Sequence, residues 1–80
     1  MLRKEVIGYA AFDKESGKGL VIYPGFTNRL ALTDDPLKVE LSSDIRSIEM
    51  IIGWFNNSHK NQKEFEIKRV VRVIEIQEAH

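Results

Sequence analysis

The sequence predicts a small α+β domain, in which a single helix packs on one face of a mostly antiparallel sheet. The sheet is expected to contain a β-hairpin, one or two short strands and a closing C-terminal strand. Three observations carry this prediction: short runs of β-branched and aromatic residues, Gly- and Pro-containing turns between them, and a lone segment with helical periodicity. A length of 80 residues allows one modest core, so residues 1–80 are interpreted as a single domain.

The first two strands are predicted to form a hairpin. Residues 4–12 are an apolar run that is too short for a helix, and residues 20–23 are a second apolar run. The stretch between them is polar and contains Gly17 and Gly19. Two such runs joined by a short Gly-containing loop are typical of an antiparallel hairpin, with one of the two glycines taking a positive φ.

The segment after the hairpin predicts shorter elements. Arg29–Thr33 alternates weakly between apolar and polar residues, which favours a short third strand. Thr33–Pro36 has the composition of a turn, because the residue before Pro avoids the helical region and Asp accepts local backbone hydrogen bonds. Val39–Leu41 is interpreted as a short strand after that turn, and Ser42 or Ser43 as the N-cap of the helix.

The helix is predicted over Ser43–His59, where apolar residues recur at helical spacing. Those residues are Ile45, Ile48, Ile51, Ile52 and Phe55. Steps of about 100° per residue place them within an arc of roughly 120°, as expected for a helix that packs on a core. Asp44 suits the positive end of the helix dipole, and Asn56–Ser58 marks the expected end of the helix.

The closing strand is predicted over residues 64–77, after a polar linker. Phe65 and Ile67 share one alternation phase, whereas the apolar residues of Val70–Ile76 fall mainly in the other. The change of phase near Arg69–Val71 indicates a β-bulge, or a central strand that is covered on both faces.

Met50 and Trp54 fall on the opposite side of the predicted helix, and they are the main indication of function. The only Trp of the chain is thereby placed next to a Met on a face that should be polar, with Ser47 and Ser58 as its rim. Exposed apolar pairs of this kind usually meet another surface, and Trp is enriched among residues that dominate binding energy. These four residues are the predicted partner-binding site.

Three surfaces could cover that pair. One is the 24–37 segment of the same chain, which would make the pair part of the core. The others are a second subunit and a foreign partner, and Phe26 and Arg29 are expected to extend the contact in those cases. Self-association is expected because a domain of this size buries little apolar surface. A last strand at a sheet edge could also pair across a two-fold axis.

Composition argues against catalysis and metal binding. The chain has no Cys, and His59 and His80 are too few for a His-based structural metal site. Asp34 and Asp35 suit turn capping, and Gly17–Gly19 suits a hairpin better than a phosphate loop. His59 near the helix end is interpreted as a C-terminal cation or a polar cap rather than a catalytic base. We therefore predict no enzyme activity, and no catalytic, cofactor-binding or metal-binding residue is assigned.

The charge balance makes nucleic-acid binding the alternative function rather than the main one. Twelve Lys and Arg residues balance 12 Asp and Glu residues, whereas nucleic-acid-binding domains are usually basic. Lys68, Arg69 and Arg72 on the last strand could still form a basic strip, although Glu residues interrupt it. No apolar run is long enough for a signal peptide or a membrane span, so a cytoplasmic protein without membrane contact is expected.

Two segments carry a recognisable pattern. Tyr9–Leu20 reads YAAFDKESGKGL, close to a hairpin pattern YxIFDKxSGKxL, and Leu32–Leu41 reads LTDDPLKVEL, close to a turn pattern LTDDxxKA. With the helix and the closing strand, the chain resembles small bacteriophage-type accessory proteins, although Val39 stands where Ala is usual and the helix is unusually apolar. The resemblance implies an accessory or inhibitor protein that contacts a host or defence protein. It transfers no catalytic residue, since its motifs are turns and core positions.

Overall fold

A computed structural model describes residues 1–25, 29–59 and 62–79. Within them lie a four-stranded antiparallel sheet and a single helix, which confirms the predicted α+β class. In chain order the elements are β1 (Leu2–Asp13), β2 (Gly19–Tyr23), β3 (Arg29–Thr33), α1 (Ile45–Ser58) and β4 (Phe65–Glu75). The strands lie in the order β3-β2-β1-β4, so the first and last strands are neighbours and β4 is an edge strand.

The predicted hairpin joins β1 and β2. Two backbone hydrogen bonds close its turn: Asp13 N–H donates to Lys18 O at 2.8 Å, and Gly17 N–H donates to Asp13 O at 2.8 Å. Gly17 has a φ of 76°, so it is the glycine that takes the positive φ, a conformation that costs other residues more. Next to the turn, Phe12 of β1 pairs with Gly19 of β2.

β1 and β2 separate after that pair, and a crossing segment, residues 39–42, bonds to both of them. Glu40 N–H donates to Leu20 O on β2 at 2.9 Å. Ser42 N–H donates to Tyr9 O on β1 at 3.0 Å, and Tyr9 N–H donates back to Ser42 O at 2.7 Å. The predicted strand at Val39–Leu41 is therefore wrong, because this segment changes its partner strand instead of following one and makes only an isolated bridge.

Two glycines allow the crossing segment to lie this close to the sheet. A Cβ on Gly8 would lie 3.1 Å from the carbonyl oxygen of Ser42, and Gly8 has a φ of 152° that other residues rarely adopt. A Cβ on Gly19 would overlap the side chain of Val39. Gly19 is thus needed for close packing, whereas Gly17 alone supplies the positive φ of the turn.

The helix begins with Asp44 as its N-cap, so the predicted caps Ser42 and Ser43 are wrong. The Asp44 backbone is extended (φ −118°, ψ 121°), and its carboxylate accepts a hydrogen bond from Arg46 N–H at 2.9 Å. Ser42 is committed to its bridge with Tyr9, and its hydroxyl accepts from Asp44 N–H at 3.1 Å. An Asp cap also places negative charge at the positive end of the helix dipole.

The core lies between α1 and one face of the sheet. Its buried residues are Ala11, Leu20, Ile48, Ile51 and Phe55. The predicted apolar stripe is confirmed except at its start, since Ile45 is 42% exposed. Asn56 ties the helix end to the segment before β4, because its side chain accepts from Lys63 N–H at 2.9 Å and donates to Lys63 O at 3.1 Å.

The β1–β4 ladder contains the predicted β-bulge, but the bulge lies on β1 and not on β4. The register shifts at Ile7, which is the extra residue opposite Val70 and Val71. The bulge predicted near Arg69–Val71 is thus at the right level of the ladder and lies on β1. The alternative of a central strand covered on both faces is wrong, because β4 is at the edge of the sheet.

The outer part of this ladder extends beyond the rest of the sheet as a two-stranded arm. We define the arm as residues 1–7 and 71–76, whose ends are joined by hydrogen bonds between Met1 and Ile76. The molecule has principal extents of 56 × 27 × 23 Å. Its radius of gyration of 15.1 Å exceeds the value of about 12 Å for a compact chain of this length. The arm accounts for this elongation.

We expect Gly19→Ala to destabilise the fold by about 1–3 kcal/mol, because the added methyl group meets Val39 in a packed contact. Urea denaturation followed by circular dichroism measures the change. Gly53→Ala is the matched control, since nothing lies within 4 Å of a Cβ at that exposed helix position. That control is expected to stabilise the fold by about 0.5–1 kcal/mol.

A double-mutant cycle identifies the contact partner. In a Val39→Ala background the cost of Gly19→Ala should fall, because the shortened side chain leaves room for the new methyl group. Additive effects of the two substitutions would contradict the close approach of the crossing segment to β2.

Candidate protein-binding surface

Met50 and Trp54 lie on the side of α1 that faces away from the sheet. They are 56% and 53% exposed. Gly53 beside them borders open space, since nothing lies within 4 Å of the position of its Cβ. The alternative prediction is that the 24–37 segment of the same chain covers this pair. The described parts of that segment, residues 24–25 and 29–37, leave Met50 and Trp54 accessible.

The two serines predicted as a rim bring no charge to this pair. The Ser58 hydroxyl donates to Trp54 O at 2.8 Å, so it is already used within the last turn of the helix. Ser47 is partly buried, and its N–H donates to Asp44 O at 3.2 Å in the first turn. The apolar pair is therefore bordered by two short, neutral side chains, and Arg46 and Asn57 flank it at helical spacing.

Of the two other predicted contact residues, the structure describes only Arg29. Phe26 lies outside the described residues. Arg29 begins β3, and its guanidinium is 5.8 Å from the centroid of the Tyr23 ring, which is within cation–π distance. Arg29 lines a cleft between β3 and the end of α1.

That cleft is open and has a volume of about 650 Å³. It is lined by Arg29, Leu30, Ala31, Leu32, Phe55, Ser58, His59 and Lys63. The His59 ring stacks on Phe55 with 3.9 Å between ring centroids, and its Nδ1 lies 2.7 Å from Phe55 O. The imidazole thus covers the end of the helix, in agreement with a role as a polar cap.

Asp13 is a buried carboxylate that closes the hairpin turn. The Ser16 hydroxyl donates to it at 2.6 Å, and the backbone N–H groups of Glu15 and Ser16 each donate at 3.3 Å. Lys63 Nζ lies 3.7 Å away. The hydrogen bond from the Ser16 hydroxyl, with the two backbone bonds and Lys63, lowers the pKa of Asp13 although burial acts against it. These contacts give the carboxylate a structural role.

The three cations of the nucleic-acid alternative do not share one surface. Side chains alternate along a strand, so Lys68 and Arg72 lie on one face of β4 and Arg69 lies on the other. Arg72 Nη2 donates to Glu5 Oε2 at 2.7 Å, and Lys68 Nζ lies 3.6 Å from Glu66 Oε2. Carboxylates therefore neutralise both cations on the shared face.

Several apolar side chains of the arm are exposed, although the alternation of apolar and polar residues along β1 and β4 does not predict their exposure. On the face continuous with the core, the residues between 46% and 64% exposed are Leu2, Val6, Val71 and Val73. Met1 and Ile76 are exposed on the other face. The feature of the sequence that indicates this exposure is the length of the two strands. β1 and β4 carry more apolar residues than one helix of 14 residues can cover.

Comparisons with known proteins do not place the chain in a family. No family model, curated protein or solved structure matches it. Within the described part of the chain, no three His, Asp or Glu residues group as metal ligands, and no helix is long and apolar enough to cross a membrane. The function is therefore inferred from the surfaces of the molecule.

We expect Asp13 to stabilise the fold above about pH 4 and to lose this effect as the pH falls. The sign follows because folding lowers the pKa of Asp13, so the folded state favours the carboxylate over the protonated acid. The free energy of unfolding of the wild type and of Asp13→Asn is measured from about pH 7 to about pH 2. The difference should be largest at neutral pH and shrink in acid, whereas a difference independent of pH would contradict the role of the ionised group.

Proposed function

We propose that this chain is a non-enzymatic protein-binding module that uses Met50 and Trp54 to contact a protein of a bacterial host. The resemblance to small bacteriophage proteins supports a role as an accessory or inhibitor protein in the host cytoplasm. The observation that carries the proposal is the exposure of an aromatic and a thioether side chain on one helix face. We also propose that the chain self-associates, because its single core is small.

The pair is well suited to act as an anchor. The opposite face of the helix is anchored in the core by Ile51 and Phe55, which are buried. Residues four positions apart are neighbours on a helix surface, so Met50 and Trp54 form one ridge. Trp supplies a large contact area with few rotatable bonds, and the flexible thioether of Met adapts to irregular surfaces.

The shape of the ridge indicates the shape of its partner. The ridge stands out from α1 beside the small residues Ser47, Gly53 and Ser58. Arg46 and Asn57 lie at its two ends by helical spacing. A protein with an apolar pocket the size of an indole and a polar rim would complement it. The ridge itself is convex, whereas a small-molecule or catalytic site requires a concave surface with convergent polar groups.

We expect Trp54→Ser to weaken binding of the host protein by about 30-fold to 1,000-fold, because central Trp anchors dominate such interfaces. The tagged chain is used to capture proteins from a bacterial host lysate, and the captured protein is titrated with the wild type and the variant. Leu37→Ser is the matched control, since Leu37 is 93% exposed in the turn after β3. The control should bind like the wild type.

Trp54 also reports the contact directly, because it is the only Trp of the chain. Its fluorescence should shift to shorter wavelength when the captured protein is added, since the indole leaves water. Equal binding by the wild type and Trp54→Ser would contradict the proposal, as would an equal loss in Leu37→Ser. Circular dichroism confirms that each variant is folded, and Met50→Ser tests the same ridge independently.

Nucleic-acid binding is the alternative: Lys68 and Arg72 share one face of β4, but the carboxylates of Glu66 and Glu5 that neutralise them weigh against it. The paired Arg69→Glu and Arg72→Glu substitutions test it by fluorescence anisotropy with labelled single-stranded DNA and RNA. We expect the wild type to show no salt-dependent binding. Salt-dependent binding that the double variant loses would make the alternative the better function.

A further inference from the structure

We propose that the open edge of β4 pairs with β4 of a second copy of this chain, across a two-fold axis beside Arg72. The two sheets would then form one continuous antiparallel sheet. This inference rests on the proposed self-association and gives it a surface. It depends on the arm and is independent of Met50 and Trp54.

The backbone of β4 presents unpaired groups at this edge. Glu64 O accepts from Lys14 N–H at 3.0 Å, and Ile76 N–H donates to Met1 O at 2.8 Å. Backbone N–H and C=O groups alternate in direction along an antiparallel strand. Those of the even-numbered residues of β4 therefore bond to β1, and those of the odd-numbered residues point away from β1, towards the open edge. No strand among the described residues pairs with β4 on that side. The outward residues are Phe65, Ile67, Arg69, Val71, Val73 and Glu75.

The arm needs a further strand. A two-stranded ribbon is at best marginally stable in water, and a third strand with apolar contacts makes such a structure stable. One face of the arm exposes Leu2, Val6, Val71 and Val73 in a single copy. A long edge strand with apolar side chains is a template for pairing with another chain. A second copy meets both requirements through the same strand.

If the two-fold axis lies beside Arg72, the residues of β4 that face each other from the two copies have complementary side chains. A two-fold axis perpendicular to the sheet keeps each side chain on its face, so residues equally far before and after Arg72 lie opposite each other. Arg69 then lies opposite Glu75 of the second copy, and Val71 lies opposite Val73. Each pairing occurs twice, which gives two opposite-charge pairs and a cluster of valines on the face continuous with the core.

The structure neutralises the like charges that meet at the axis. Arg72 lies opposite its equivalent in the second copy, and each guanidinium is 2.7 Å from Glu5 Oε2 of its own chain. An axis beside Arg69 would place that residue opposite itself, and the described residues provide no ion pair for it. The charge pattern therefore favours the axis beside Arg72.

We expect the wild type to be a dimer and Val73→Pro to dissociate, as measured by sedimentation equilibrium. The Val73 N–H points outwards, so proline removes one donor from each copy at the interface and leaves the β1–β4 hydrogen bonds intact. The dissociation constant should rise about 30-fold or more. Val73→Thr is the matched control, because it keeps the N–H group and the β-branch, and it should remain a dimer.

Single cysteines test the position of the axis, since the chain contains none. With Arg72→Cys the two Cα atoms would be about 4.5 Å apart, which permits a disulfide. Glu5 also lies 3.4 Å from Arg3 Nε in the wild type, so its carboxylate is expected to keep a cation beside it in that variant. With Arg69→Cys the equivalent positions would be about 20 Å apart. Mild oxidation should therefore link Arg72→Cys into a covalent dimer and leave Arg69→Cys unlinked.

The possible outcomes separate this inference from the proposed function. A monomeric wild type would overturn both the edge pairing and the proposed self-association. A dimer that Trp54→Ser dissociates and Val73→Pro leaves intact would place the interface on α1 and overturn the edge pairing alone. Preferential crosslinking of Arg69→Cys would overturn the axis beside Arg72. Binding of the host protein is measured separately, and the effect of Trp54→Ser on that binding decides the proposed function.

Discussion

A single short helix lies on a much longer two-stranded ladder, and the rest of the structure depends on this mismatch. The 14 residues of α1 span about 21 Å, whereas the 12 residues of β1 span about 40 Å. The core forms where α1 packs on the part of the sheet that contains β1, β2 and β3. The remaining ladder becomes the arm, whose apolar residues are exposed in one chain and accessible to another.

At the covered end, the crossing segment at residues 39–42 organises the fold. Its hydrogen bonds to Leu20 and Tyr9 connect the separated strands, and Gly8 and Gly19 allow it to approach the sheet. The helix starts two residues after this segment, at the Asp44 cap. Because the core requires one face of α1, the opposite face with its Trp and Met is left exposed.

The sequence predicts best those features that nearby residues determine. Gly17 forms its turn through local bonds, and the face of Trp54 follows from the helical stripe around it. The path of Val39–Leu41 depends on strands far away in sequence, so its strand-like alternation was misleading. The cap at Asp44 was missed for the same reason, because the distant Tyr9 occupies Ser42. Exposure of the arm depends on where the helix stops covering the ladder, which no local pattern encodes.

Residue-resolved amide hydrogen exchange tests most directly whether a second copy completes the arm. The Val71 and Val73 amides point outwards, whereas those of Arg72 and Ile74 face β1. If β4 edges pair, all four amides exchange slowly in concentrated protein, and dilution accelerates the outward pair first. Fast exchange at Val71 and Val73 at every concentration, with Arg72 and Ile74 protected throughout, would contradict the pairing.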